Sequence, residues 1–257
     1  MKLADVINLK SHEITASVYR QKCRATLLRD GVIVLDNFIT AEALAQIKLE
    51  GETKKSLAFF ANQQHNVYIS DADINYPKDH IRNKLVESSK GCITDDQIDT
   101  DSVLRTLYDS ELFRDFLKVV LDEKELHSYA DDCSSINLHY ASKGQELGWH
   151  FDNSSFATTL LIQKPAAGGE FQYVRDIRDA DQGEMNFSGV EKILIGDTKP
   201  NKLAITPGAL VLFRGRNSLH RVTPTIGDIT RMMVVLAYNN KPGVALSASA
   251  RKTFYGK

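Results

Sequence analysis

Hydrophobic positions along this chain follow two different periods, with the change near residue 130. Before it, apolar residues recur at helical spacing. "EITASVYRQKCRATLLRDG" places Ile14, Val18, Cys23, Leu27 and Leu28 on a helical repeat that stops at Gly31, a natural helix end. "VIVLDNF" reads as a short β-branched strand. Thr40 is placed to cap a helix over "AEALAQIKLEGETKKSLAFFA", which Gly51 weakens partway. Residues 62–80, "NQQHNVYISDADINYPKDH", are polar and turn-rich and predict a long surface loop, while "DTDSVLRTLYDSELFRDFLKVVLD" returns to helical spacing.

After the change the runs are short and rich in β-branched and aromatic residues: "SINLHYA", "ATTLLIQ", "GEFQYV", "KLAITPGALVLF" and "RMMVVLAY". Breaks such as "KPAAGG" and "TPGA" separate several of them. Strands at this spacing without helices between them predict an antiparallel sandwich or barrel, not a doubly wound sheet. The expected fold is α+β: one domain over residues 1–257, with a helical part (1–130) packed on a β-barrel core (131–257). The charged segment 174–192 reads as an insertion between strands and a second lid.

The stretch "ELGWHFDNSSF" carries the first candidate chemistry. In an extended segment, residues two apart share a face, so His150 and Asp152 point into the barrel while Trp149 and Phe151 point away. Two ligands from one strand leave a metal half held. His220, in "FRGRNSLHRVTP" at the end of the strand "GALVLF", supplies a third. Two His and one carboxylate on one side of a metal form the facial triad of non-haem Fe(II) oxygenases, whose opposite face stays open. His12, His65, His127 and His139 have no partners at ligand spacing and read as structural or surface residues.

Composition narrows the classes without choosing among them. Lys+Arg 32 against Asp+Glu 33 leaves a net charge of -1, which does not advertise binding to nucleic acid or to an anionic membrane. Apolar runs such as Met232–Tyr238 are far shorter than the ~20 residues that span a bilayer. "MKLADVINLKSHEI" has no continuous apolar core of a signal peptide. Cys23, Cys92 and Cys133 are widely spaced and odd in number, which suits a reducing cytoplasm better than a disulfide framework.

The span from Tyr140 to Arg231 resembles the 2-oxoglutarate/Fe(II)-dependent dioxygenases, in particular the branch similar to prolyl hydroxylases. The matching pieces are "YASKGQELGWHFD", "GGEF" (Gly168 to Phe171), "PGALVLFRGRNSLHRVTP" and Arg231. The helical first half and the wording around "LGWHFDNS" and "HRVTP" further resemble the branch that includes free-amino-acid halogenases and hydroxylases.

This resemblance implies a double-stranded β-helix. His150, Asp152 and His220 would hold Fe(II), with 2-oxoglutarate and O2 as co-substrates and succinate as a product. It also implies that Arg231, eleven residues after His220, pairs with the far carboxylate of 2-oxoglutarate, as a planar guanidinium can do with two oxygens. The alternative for Arg231 is a surface salt bridge. Arg221, next to a ligand, would alternate away from the site. Tyr140 either donates its hydroxyl to a 2-oxoglutarate carboxylate or is a core aromatic with a satisfied hydroxyl. Halogenases of the resembling branch carry a small residue where Asp152 stands, so the resemblance implies hydroxylation rather than chlorination.

The substrate expected is a small polar molecule, amino-acid-like, with Arg82 in the "YPKDHIRNK" lid and Asn153 as candidate contacts. Their alternatives are a solvated charge run and a turn. A protein side chain or a carrier-bound amino acid remains open as substrate, as does a cupin-like metal-binding protein without oxygen chemistry.

Overall fold

Strand pairing across long sequence distances positions the site. The computed structural model describes residues 1–257. Its strands are β1 (Val32–Leu35), β2 (Phe59–Asn66), β3 (Leu85–Ile93), β4 (Ile136–Ala141), β5 (Leu147–His150), β6 (Ala157–Gln163), β7 (Ala167–Gly168), β8 (Phe171–Val174), β9 (Asn201–Leu203), β10 (Leu210–Phe213), β11 (Leu219–Val222), β12 (Thr225–Ile226) and β13 (Arg231–Leu236). The helices are α1 (Leu3–Val6), α2 (Ser17–Asp30), α3 (Ala41–Lys54), α4 (Val103–Tyr108), α5 (Glu111–Leu121), α6 (Phe187–Leu194) and α7 (Ala248–Tyr255). No helix is long and apolar enough to cross a membrane.

Ten strands lie in the order β1-β10-β6-β13-β4-β3-β5-β11-β8-β9, β2 joins beside β3, and β7 pairs with β12 separately. The large sheet is antiparallel and curls around a cavity. Period-two alternation sorts its residues. On β13, Met232, Val234 and Leu236 join the apolar core under the helices, while Arg231, Met233 and Val235 line the cavity. On β4, Ile136, Leu138 and Tyr140 enter that core, and His139 and Ala141 belong to the cavity side.

The helices seal the other face of the sheet. Leu27, Phe38, Ile47, Phe113 and Phe116 belong to one buried cluster with the sheet residues Leu138 and Val234. Thr40 caps α3, its hydroxyl oxygen accepting from the Ala43 amide at 3.2 Å. Gly51 lets α3 approach closely, because a Cβ there would come within 2.7 Å of the Leu138 side chain. On α2, Val18 is 84% exposed and Leu28 53%, so the helical repeat that included them is only partly a core face.

Four element boundaries depart from the sequence expectation. The helix from Ala41 stops at Lys54, and Phe59–Asn66 is a strand paired with β3 along its whole length. This hairpin lacks an apolar stripe because its half-buried positions include Gln63 and His65, which face a polar vestibule rather than the core. The helical stretch 101–122 breaks at Asp109 and restarts at Ser110, whose hydroxyl oxygen accepts from the Phe113 amide. "KLAITPGALVLF" divides into β9 and β10. The insertion 174–192 runs into α6, whose Val190 and Ile193 pack with Tyr68, Trp149 and Phe151. α7 was not foreseen.

Candidate metal centre

β5 and β11 pair antiparallel, with His150 and His220 directly opposite each other. Opposed side chains on one face stand about 5 Å apart at Cβ, and the two rings have centroids 4.2 Å apart. Asp152 follows the end of β5, its backbone amide donating to the Gly215 carbonyl at 3.1 Å. Oδ1 of Asp152 lies 3.5 Å from Nε2 of His220 and 3.8 Å from Nε2 of His150. One donor atom from each of the three residues falls within 4.8 Å of the others.

The ring nitrogens facing away set the tautomers. Nδ1 of His150 donates to the Gly148 carbonyl at 2.8 Å, and Nδ1 of His220 to the Ser218 carbonyl at 2.9 Å. Each Nε2 therefore presents a lone pair toward Asp152. Burial, reinforced by the neighbouring His220, pushes His150 down to about 3. Burial acts to raise Asp152, but His220, then His150 and Arg178, outweigh it and hold the carboxyl below the usual range. Oδ2 of Asp152 is buried and has no hydrogen-bond partner.

Oδ1 of Asp152 faces two imidazole nitrogens that present lone pairs, and Oδ2 is buried without a partner, an arrangement that is costly without a cation. A divalent metal of borderline character with N2O preference fits this set, leaving one side open.

Around this centre is a cavity of ≈ 300 Å³ walled by Phe156, Val211, Phe213 and Met233. Phe213 packs edge-on to His220, with centroids 4.9 Å apart. Arg231 opens β13 and lines the same cavity. It is 8% exposed and has neither a carboxylate nor a hydrogen-bond acceptor as partner, and burial pushes it down to about 10. Gly169 of the "GGEF" stretch, at φ +61, passes beside it, and a Cβ there would crowd Cδ of Arg231 at 3.0 Å. A polar vestibule lies outside, meeting the inner cavity at Lys90, Leu147 and His150.

The family model for halogenase D matches residues 15–253. The chain belongs to the halogenase D family. A search of curated proteins finds no match. Among solved structures, a 2OG-Fe(II) oxygenase family oxidoreductase from Burkholderia pseudomallei superposes with a TM-score of 0.53 at 15% identity, over 88% of this chain and 92% of that one. The non-heme alpha ketoglutarate dependent epimerase SnoN from nogalamycin biosynthesis gives 0.60 at 11%, over 87% and 81%. A prolyl hydroxylase from Trichoplax adhaerens gives 0.54 at 14%, over 88% and 94%. These likenesses show the fold: the chain has the double-stranded β-helix of the 2-oxoglutarate/Fe(II) oxygenases.

Not every residue singled out in the sequence reaches the site. Tyr140 is a correction. The residue borders the cavity, but alternation along β4 sends its side chain into the core under the helices, where the hydroxyl donates to the Gly51 carbonyl at 2.7 Å. Arg82 is another: Nη2 donates to the Asp71 carbonyl at 3.2 Å and the guanidinium lies over Tyr68, bracing the segment before β3 outside both cavities. Asn153 lines the vestibule. Arg221 faces outward, stacked over Trp149.

Two histidines without partners at ligand spacing border the site, one at the centre and one on the cavity wall. His65 packs edge-to-face on His150, and His139 lines the inner cavity. Period-two counting along "INLHYA" already places His139 on the face opposite Tyr140. Nothing local marks Lys90 or Gly215.

Proposed function

We propose that this protein is an Fe(II)- and 2-oxoglutarate-dependent oxygenase that hydroxylates an unactivated C–H bond of a small polar molecule, with an amino acid or a derivative as the favoured substrate. The observation that carries this reading is the pairing, in one cavity, of a convergent His150–Asp152–His220 donor set with a buried, unpartnered Arg231. A cupin-like metal protein has no use for a buried cation without an acceptor.

His150, Asp152 and His220 would hold the iron, and Arg231 would pair with the far carboxylate of 2-oxoglutarate through two parallel N–H···O bonds. When bound there, iron and 2-oxoglutarate would supply the oxidant from dioxygen, one oxygen atom going into succinate with loss of CO2 and the other to the substrate. The chain's own contribution is placement. Asp152 fills the position that a small residue leaves free for halide in halogenases of the resembling branch, which supports hydroxylation. Phe156, Phe213 and Met233 exclude water from the cavity. Gln63, Gln64, Asn66, Asn153 and Ser247 in the vestibule support a polar substrate that enters past His150.

Anaerobic protein with Fe(II) and 2-oxoglutarate is expected to show a weak visible charge-transfer band, and dioxygen then to yield succinate. His150→Ala removes both. A screen of amino acids and small metabolites reads products that gain one oxygen atom. Absence of band and succinate in the wild type refutes the assignment, and a chlorinated product in the presence of halide refutes the role given to Asp152.

A further inference from the structure

The barrel face that carries Arg231 carries a second cation. In the β3–β4 register Gly91 is opposite Tyr140 and Cys92 opposite His139, and continuing it brings Lys90 level with Ala141. Arg231 is opposite that same Ala141 from β13. Lys90 and Arg231 thus flank one small residue across three adjacent strands, about 10 Å apart at the backbone, and both side chains line the inner cavity. Lys90 lines the vestibule as well, so it stands where the two spaces meet.

No ion pair neutralises it: burial pushes the ammonium down, and only the more distant pull of Cys92 and Asp152 opposes that. The only side-chain hydrogen-bond partner of Lys90 is the His139 ring, 3.2 Å from Nζ at Nε2 and 3.4 Å at Nδ1. His139 is itself held neutral, first by burial and then by Lys90 and Arg231, so it accepts from the ammonium without cancelling its charge. An ammonium in a largely apolar cavity needs an anion beside it.

The proposed function already assigns the other charges. A ferrous ion and Arg231 together balance Asp152 and the two carboxylates of 2-oxoglutarate, which leaves Lys90 uncompensated. We propose that Lys90, seated against His139, is the residue that anchors the carboxylate of the amino-acid-like substrate. This inference rests on the oxygenase reading. It adds that the acid enters through the vestibule and is held at the mouth of the inner cavity.

The test uses full-length protein loaded anaerobically with Fe(II) and 2-oxoglutarate, with calorimetric titration of a panel of amino and aliphatic carboxylic acids and their carboxamides. In the wild type at least one acid binds about tenfold or more tighter than its amide, the size expected of a charge-assisted hydrogen bond. Lys90→Met brings acid and amide within about twofold, and Lys90→Arg restores much of the preference. The charge-transfer band titrates with 2-oxoglutarate as in the wild type for Lys90→Met and only at far higher concentration for Arg231→Gln.

Acids and amides that bind alike, no acid that binds, or a preference that survives Lys90→Met overturns the proposal. A Lys90→Met protein that loses 2-oxoglutarate affinity instead assigns Lys90 to the co-substrate and also overturns it. No band in the wild type refutes the oxygenase reading itself, and this inference with it.

Discussion

A side chain at Gly215 would occupy the place of the Asp152 carboxylate: its Cβ would overlap Oδ2 and lie 2.6 Å from Cγ. The same glycine accepts the Asp152 backbone amide. Asp152 is therefore placed by a gap in the β10–β11 connection as much as by the end of β5 before it. Gly215→Ala is expected to displace the carboxylate and weaken Fe(II) binding by about 10–100-fold, as outer-shell changes at metal sites do. Metal titration followed by the charge-transfer band checks this. Circular dichroism should show a folded chain, and undiminished iron affinity would mean that the carboxylate is not a ligand.

Arg231 is a cost to the empty protein. It sits in an apolar cavity without an acceptor, and burial alone pushes it down to about 10. Arg231→Met, which fills similar volume without charge, is expected to raise the midpoint of the metal-free protein by about 2–4 °C, or about 1 kcal/mol. The same change should raise the 2-oxoglutarate concentration for half-saturation by tenfold or more, about 1.4 kcal/mol. Thermal melts and succinate assays read the two effects separately, and a variant that melts lower while still using 2-oxoglutarate normally contradicts the assigned role.

Tyr140 belongs to the opposite side of the sheet. Removing its hydroxyl in Tyr140→Phe deletes one buried hydrogen bond to the Gly51 carbonyl, at a cost of about 1 kcal/mol. Affinity for 2-oxoglutarate should be unchanged. Urea unfolding and co-substrate titration distinguish this from direct carboxylate binding, which would shift the titration.

Acid should destabilise the metal-free protein. Burial, with the nearby His220, holds His150 at about 3, and burial, with Lys90 and Arg231, holds His139 well below its ordinary value. Between about pH 3 and about pH 6.5 the unfolded chain binds a proton that folded His150 refuses, and His139 acts in the same direction below its ordinary value, so stability rises with pH across that window and falls as pH is lowered through it. Asp152, held below the ordinary carboxylate range, acts in the same direction at the acid end of the window. Urea midpoints measured from neutral pH down to about 5 should decline in the wild type. They should decline less steeply in His139→Gln, and a flat profile in the wild type would contradict neutral buried histidines.

Much of the site is legible in the chain because its parts are local. His150 and Asp152 share a face through the period of an extended segment. The strands β4, β6 and β13 announce themselves by β-branched residues, and Arg231 is singled out by the family resemblance through its offset from His220. Other parts depend on which elements meet. The β2–β3 hairpin has no apolar stripe because it borders a vestibule, so hydrophobic periodicity had no signal to offer there. Tyr140 and His139 differ by one position, and only the helix packed on β4 decides which of them looks outward.

Covalent order thus determined the ligand types, the strand-rich second half and the cation at the start of β13. Tertiary pairing alone set His220 opposite His150, left room for Asp152 at Gly215, and put Lys90 level with Arg231. Side-chain direction follows from the backbone's own repeat, whereas distances between strands follow from burial and hydrogen bonding summed over the whole chain.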